Sequence, residues 1–163
     1  MEFINLTFDI NRKLFSLPVM LLKRIKNMMN TSHQITERCF SIMYLDTGSN
    51  LTSITDLEAM KLKLDMNGLK FQKVGGIGGF VNTPTTDEVE VYVQSSSNTM
   101  LVKLDRIAVH PSEIRGKISK KGIYKAKGVE SAEMINLFGL DALEKLNGKL
   151  EINMRDKSGN ITI

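Results

Sequence analysis

Three stretches of this sequence carry residue types that could do chemistry. The first is Leu45-Asp46-Thr47-Gly48-Ser49, a carboxylate at the end of the apolar run Cys39-Phe40-Ser41-Ile42-Met43-Tyr44-Leu45. The second is the glycine-rich run Gly75-Gly76-Ile77-Gly78-Gly79-Phe80. The third is Asn136-Leu137-Phe138-Gly139-Leu140-Asp141. A single carboxylate can act as a base, and two that share one proton can act as base and acid together. Each stretch alone also has a plain structural reading. Asp-Thr-Gly makes a good turn. The glycine run could be a hairpin tip or a phosphate-binding loop, but a phosphate loop needs a helix behind it, and Val81 onward continues as strand. The third stretch could be any strand-to-helix turn.

The elements that must position these residues read as short strands. Phe3 to Ile10 alternates, Asn11-Arg12-Lys13 makes a turn, and Leu14 to Leu17 returns, which predicts a hairpin. A strand start near Val19 is expected to run into a helical or irregular insertion through about residue 36. Cys39 to Leu45 reads as a buried strand, and Glu58 to Leu62 as a short helix. Glu88 to Gln94 and Met100 to Val109 read as alternating strands about a turn at Ser95 to Thr99, and residues 110–133 as a long polar, basic loop. Met134 to Gly139 is an apolar strand signal. Leu140 to Leu146 suits a helix with Asp141 near its start. Leu150 to Met154 and Asn160 to Ile163 would form a terminal hairpin. The sum is a mostly-β domain with one or two short helices.

Composition agrees with a soluble globular chain. It has 163 residues, 42% hydrophobic and 25% charged, enough for a core without metal or disulfide staples. One cysteine, Cys39, excludes an internal disulfide framework and reads as a buried, inert thiol. With His33 and His110 alone beside it, no zinc spacing arises. The net charge is +4, but the basic clusters lack interleaved aromatics, which argues against a nucleic-acid partner and for solvated loops. No apolar run reaches the roughly 20 residues that cross a bilayer, so no membrane contact is expected. The first residues lack a signal-peptide pattern, and a glycan at Asn50, one of four N-x-S/T sites, would obstruct the Asp46 turn. An intracellular, cytoplasmic setting is the expectation.

In their order, the three stretches resemble the retropepsin family, the aspartic proteases of retroviruses and their cellular relatives. The family carries apolar-Asp-Thr-Gly-Ala/Ser, a glycine-rich flap and a late apolar-apolar-Gly turn into a short helix. Lys73 to Val81 is similar to the flap of lentiviral members, and Leu51-Thr52-Ser53-Ile54 fits the run after the motif. The resemblance covers roughly residues 39 to 154 and implies a closed, barrel-like single lobe with a flap hairpin. Residues 1–38 would add N-terminal strands or an extension to the same domain, with 39–163 as the protease core.

The resemblance further implies an aspartic endopeptidase that takes polypeptide substrates and needs no cofactor or metal. No second apolar-Asp-Thr/Ser-Gly run exists in the chain, and Arg155-Asp156-Lys157-Ser158-Gly159 does not match. The two carboxylates would therefore come from Asp46 in each half of a homodimer. Asp46, Thr47 and Gly48 would be catalytic. Thr47 would bond across the dimer, and Gly48 would leave room for substrate backbone. Ser49 would tune Asp46 by a hydrogen bond, and Asn50 would hold substrate backbone where viral members use an acid. Gly76, Ile77, Gly78 and Gly79 would form the flap tip over substrate. Asn136 to Gly139 would back the Asp46 loop. The alternative is a retropepsin-fold dimerisation or peptide-binding module with little catalysis.

Overall fold

The computed structural model describes residues 2–24, 37–76, 79–115, 117–119, 122–124 and 131–163, with backbone alone at those of 75–81 and 114–132. The expected insertion lies mostly outside these residues. The described residues are mostly β, with two helices among them, α1 (Asp56–Lys61) and α2 (Leu140–Leu146). Neither is long and apolar enough to cross a membrane.

The N-terminal hairpin is β1 (Phe3–Asp9) and β2 (Leu14–Lys23). Ile4 and Leu6 turn inward from β1, and Phe15, Leu17, Val19 and Leu21 from β2, which is the two-residue period of a half-buried strand. One edge of β2 carries β3 (Arg38–Leu45) along most of its length. The other edge is shared: β1 pairs through Ser16, and β7 (Val89–Gln94) takes over from Val19. Pro18 lies in the gap between these partners, where its missing N–H interrupts neither run of pairs.

Further strands are β4 (Ser53–Thr55), β5 (Lys70–Gly76), β6 (Gly79–Thr86), β8 (Thr99–Val102), β9 (Ile107–His110) and β14 (Leu137–Phe138). The terminal hairpin is β15 (Lys149–Asn153) with β16 (Ser158–Thr162). One twelve-stranded sheet follows the order β15-β16-β1-β2-β3-β14-β4-β9-β6-β5, with β7 branching from β2 and β8 pairing β7. The β3–β14 and β4–β9 pairs are parallel, so the sheet is mixed. It is also open. The expected closed barrel is not seen among the described residues, where the strand order ends on β15 and β5 with no ladder between them.

Four local expectations are revised. β3 is only half buried: Met43 and Leu45 enter the core, but Phe40 is 76% and Ile42 56% exposed on the opposite face. An antiparallel pair can leave one face uncovered, and the apolar run alone does not reveal it. Cys39 is likewise half-buried, although burial still pushes its thiol up. The strand expected over Met100 to Val109 is broken between β8 and β9, where the Leu104 N–H folds back onto the Val102 carbonyl at 3.0 Å. Within 110–133 the chain forms small antiparallel pairs rather than one loop: β10 (Glu113–Arg115) with β13 (Ser131–Glu133), and β11 (Lys117–Ser119) with β12 (Gly122–Tyr124).

The core gathers Leu17, Leu21 and Met43 with Ile54, Ala59, Ile107, Phe138, Leu146 and Ile161. Residues of the N-terminal hairpin and the C-terminal strand thus pack in the same cluster as those beside Asp46. Helix α2 buries Ala142, Leu143 and Leu146 and ends at Asn147, whose φ of 51° is a left-handed value that asparagine tolerates.

Candidate active site

Asp46 follows the last residue of β3, and the chain turns through residues 46–52 into β4. β14 is wedged between these two strands, parallel to β3 (Leu137 opposite Tyr44) and antiparallel to β4 (Leu137 opposite Ser53). The Tyr44 N–H donates to the Asn136 carbonyl at 2.8 Å and the Asp46 N–H to the Phe138 carbonyl at 3.1 Å. Beyond the turn, the Leu140 N–H donates to the Ser49 carbonyl at 2.9 Å. A strand from late in the sequence therefore fixes both sides of the turn.

Inside the turn, the Ser49 N–H donates to the Asp46 carbonyl at 3.2 Å. The Gly48 N–H donates to Asp46 Oδ1 at 2.9 Å. The carboxylate is half-buried, while Thr47, Gly48 and Asn50 are exposed. Ser49 does not tune the carboxylate as expected. Its hydroxyl donates instead to the Leu51 carbonyl at 2.7 Å.

The turn rests on buried Thr52 and Asn136 and on half-buried Asp141. Asp141 Oδ1 accepts from the Thr52 N–H at 2.8 Å, the Thr52 hydroxyl at 2.7 Å and the Ala142 N–H at 2.8 Å. Thr52 Oγ1 in turn accepts from the Gly139 N–H at 3.2 Å. Burial pushes the Asp141 carboxyl above its ordinary value in spite of these donors. Gly139 lies so close to the turn that a Cβ there would meet the Leu51 carbonyl carbon at 2.6 Å. Asn136 works one strand over: its Oδ1 accepts from the Thr55 N–H at 2.7 Å, and its Nδ2 donates to Ser41 Oγ at 2.8 Å. Glu58, at the start of α1, accepts from the Thr55 hydroxyl and lies 3.4 Å from Lys61 Nζ. Burial works to raise its carboxyl, but these partners bring it below its ordinary value.

The β5–β6 hairpin is paired as far as Gly76 opposite Gly79. Ile77 and Gly78 lie outside the described residues. At its root β6 pairs β9 (Thr85 with Ala108), and β9 pairs β4 (Ala108 with Ser53). The hairpin is thus rooted two strands from the strand that leaves the Asp46 turn. Asp46, Thr47, Gly48, Ser49 and Asn50 share one turn, and Gly76 and Gly79 belong to a separate hairpin.

No family model matches the chain, and no curated protein matches it either.

The chemistry open to the site is therefore read from its groups. One chain presents one half-buried carboxylate, held by a backbone amide on a braced turn. Among the described residues, no three His, Cys, Asp or Glu side chains converge as metal ligands would. The sequence anticipated that Asn136 to Gly139 would back the loop. It did not anticipate that Thr52 and Asp141 would carry the load, and the spacing of 89 residues between them leaves no local signal.

Proposed function

We propose that the chain is one half of a retropepsin-like aspartic endopeptidase. Two copies meet about a two-fold axis, and each contributes Asp46. At close range the two carboxylates share one proton. The ionised one takes a proton from water as the water oxygen attacks the peptide carbonyl carbon. The protonated one donates to the carbonyl oxygen. The carboxyl that took the water's proton then passes it to the amide nitrogen, and the other carboxylate takes a proton from one hydroxyl of the diol. The C–N bond breaks to release the amine and the new carboxylic acid, and the pair is left with its single proton. Thr47, exposed on the turn, bonds across the pair, Gly48 and Asn50 face substrate backbone, and the β5–β6 hairpin serves as the flap.

The observation that carries this reading is the β3-turn-β4 arrangement with β14 between the strands. It holds the Asp46 backbone rigidly while leaving the carboxylate half-buried at an exposed turn. A carboxylate meant only to close a turn would not need such a brace, since local hydrogen bonds suffice for that. The reading takes the enzyme as intracellular, because a glycan on exposed Asn50 would stand on the same turn.

The test is cleavage of a generic peptide library by the full chain at acidic and at neutral pH, compared with Asp46→Asn. Cleavage by wild type alone is expected. Equal cleavage by both would sink the assignment.

A further inference from the structure

The N-terminal hairpin reaches the strand that carries Asp46 through a group of side chains that the proposed reaction does not use. Tyr44 lies two residues before Asp46 on the same strand edge. Its hydroxyl donates to Asp9 Oδ2 at 2.8 Å. Arg12 Nε donates to the same phenol oxygen at 3.2 Å, with the guanidinium carbon 5.6 Å from the ring centroid. The other oxygen of Asp9 accepts from the Asn11 and Arg12 N–H groups at 2.9 and 3.0 Å, so the carboxylate is pinned by its own turn. Arg12 continues to Glu133 Oε2 at 2.6 Å. Glu133 leads into Asn136, whose carbonyl takes the Tyr44 N–H.

These contacts close a ring: Tyr44, the turn between β1 and β2, Glu133, the chain to Asn136, and Tyr44 again. We infer that Tyr44 is a positioning residue for Asp46, and that the β1–β2 turn acts through its phenol to fix the strand from which the Asp46 carboxylate projects. The inference rests on the reading of Asp46 as the reactive group. Tyr44 and Asp46 are alternate residues whose N–H groups both bond to the 136–138 segment, so a slip or roll of β3 at Tyr44 is passed to Asp46.

The joints of the ring differ in weight. The Arg12–Glu133 pair is an exposed contact, with the Glu133 side chain 71% accessible, and such pairs contribute little. The Tyr44–Asp9 bond is partly buried and its acceptor is charged, which makes it the stronger joint. The Arg12 amide and the Tyr44 hydroxyl hold the Asp9 carboxyl below its ordinary value, so it remains an acceptor at neutral pH. Residues 3–13 are by this account a working part of the site rather than a dispensable extension.

The test uses the full chain and two readouts. Tyr44→Phe keeps the ring and removes the hydroxyl, Asp9→Ala removes its acceptor, and the double variant combines them. Amide hydrogen exchange over residues 45–50 reads the turn directly, and kcat and KM are measured on a peptide that wild type cleaves. Each single variant is expected to speed exchange in the turn and lower kcat by about ten-fold with KM within about two-fold, since small displacements near reacting groups cost rate. The double variant is expected to be no worse than either single one, because both break the same contact. Glu133→Gln should stay within about two-fold of wild type. Unchanged exchange in Tyr44→Phe, exchange that rises equally throughout the chain, or fully additive effects would overturn the positioning role. If wild type cleaves nothing, the protease reading fails, and the exchange data and double-variant comparison still decide the brace.

Discussion

The backbone amide of Gly48 points at the side chain of Asp46, nitrogen to Oδ1 at 2.9 Å, and a Cβ on Gly48 would come within 3.2 Å of that same oxygen. One residue thus orients the carboxylate and leaves it room. Gly48→Ala forces a small displacement of the carboxylate on an exposed turn. Turnover should fall at least about ten-fold while stability stays within about 1 kcal/mol, as for other exposed substitutions. Peptide cleavage alongside urea denaturation measures both, and wild-type turnover would remove Gly48 from the site.

Gly139→Ala should act in the opposite manner. Its new methyl meets the Leu51 carbonyl carbon at 2.6 Å and the Thr52 nitrogen at 2.8 Å, backbone atoms that cannot swing aside. The φ of −85° suits any residue, so the cost is contact alone. A loss of about 2–3 kcal/mol is expected from overpacking. A change below about 0.5 kcal/mol in urea denaturation would mean that the turn and the α2 entry are not packed as described.

Asp141 and Glu58 make opposite contributions to stability against pH. The Asp141 carboxyl is raised above 3.8 by burial, so it holds its proton more tightly folded than unfolded. Its contribution is full below that value and is lost as pH rises through the folded pKa. Glu58 is lowered below 4.5, burial being outweighed by Thr55 and Lys61. Its contribution is present above 4.5 and is lost as pH falls through the folded pKa. Asp141→Asn keeps an oxygen for the donors on Oδ1 and should be no less stable than wild type at neutral pH. Glu58→Gln should flatten the acid side of the curve. Thermal melting followed as a function of pH, on both sides of the ordinary carboxyl values of 3.8 and 4.5, tests both. A large neutral-pH loss in Asp141→Asn would contradict the assignment.

A shared pair of carboxylates makes activity depend on association. Specific activity should fall on dilution in step with the dimer fraction seen by sedimentation. Adding an equal amount of Asp46→Asn chain at fixed wild-type concentration should cut activity to about half, the share left by random pairing. Full activity in a strictly monomeric species would refute the shared site.

Much of the fold is visible in local periodicity. Ile4 and Leu6, or Val89, Val91 and Val93, alternate with polar neighbours, and each set became a strand with those residues inside. Helix α2 runs over Leu140–Leu146 as expected, between Gly139 and Asn147, which both suit helix ends. Where the periodicity was misleading, the cause was non-local. Met100, Val102 and Leu104 alternate right up to the bend at Leu104 and so do not announce it. The pairs in 110–133 are joined by backbone and have no apolar period to announce them. The site was legible as a motif but not as a mechanism of support. Leu137 and Phe138 read as a strand, yet nothing local says that they enter between Tyr44 and Ser53. Tyr44 read as one more core residue, and its phenol instead meets Asp9.

The wedge formed by β14 also sets a timetable. Thr52 waits for Asp141 across 89 positions, and Thr55 waits for Asn136 across 81. Contacts so distant in sequence form late, after a large loop has closed. A chain leaving the ribosome carries Asp46 long before it carries the residues that steady it. On the proposed reading, the nascent protein is harmless to itself and to its neighbours until synthesis has passed Asp141.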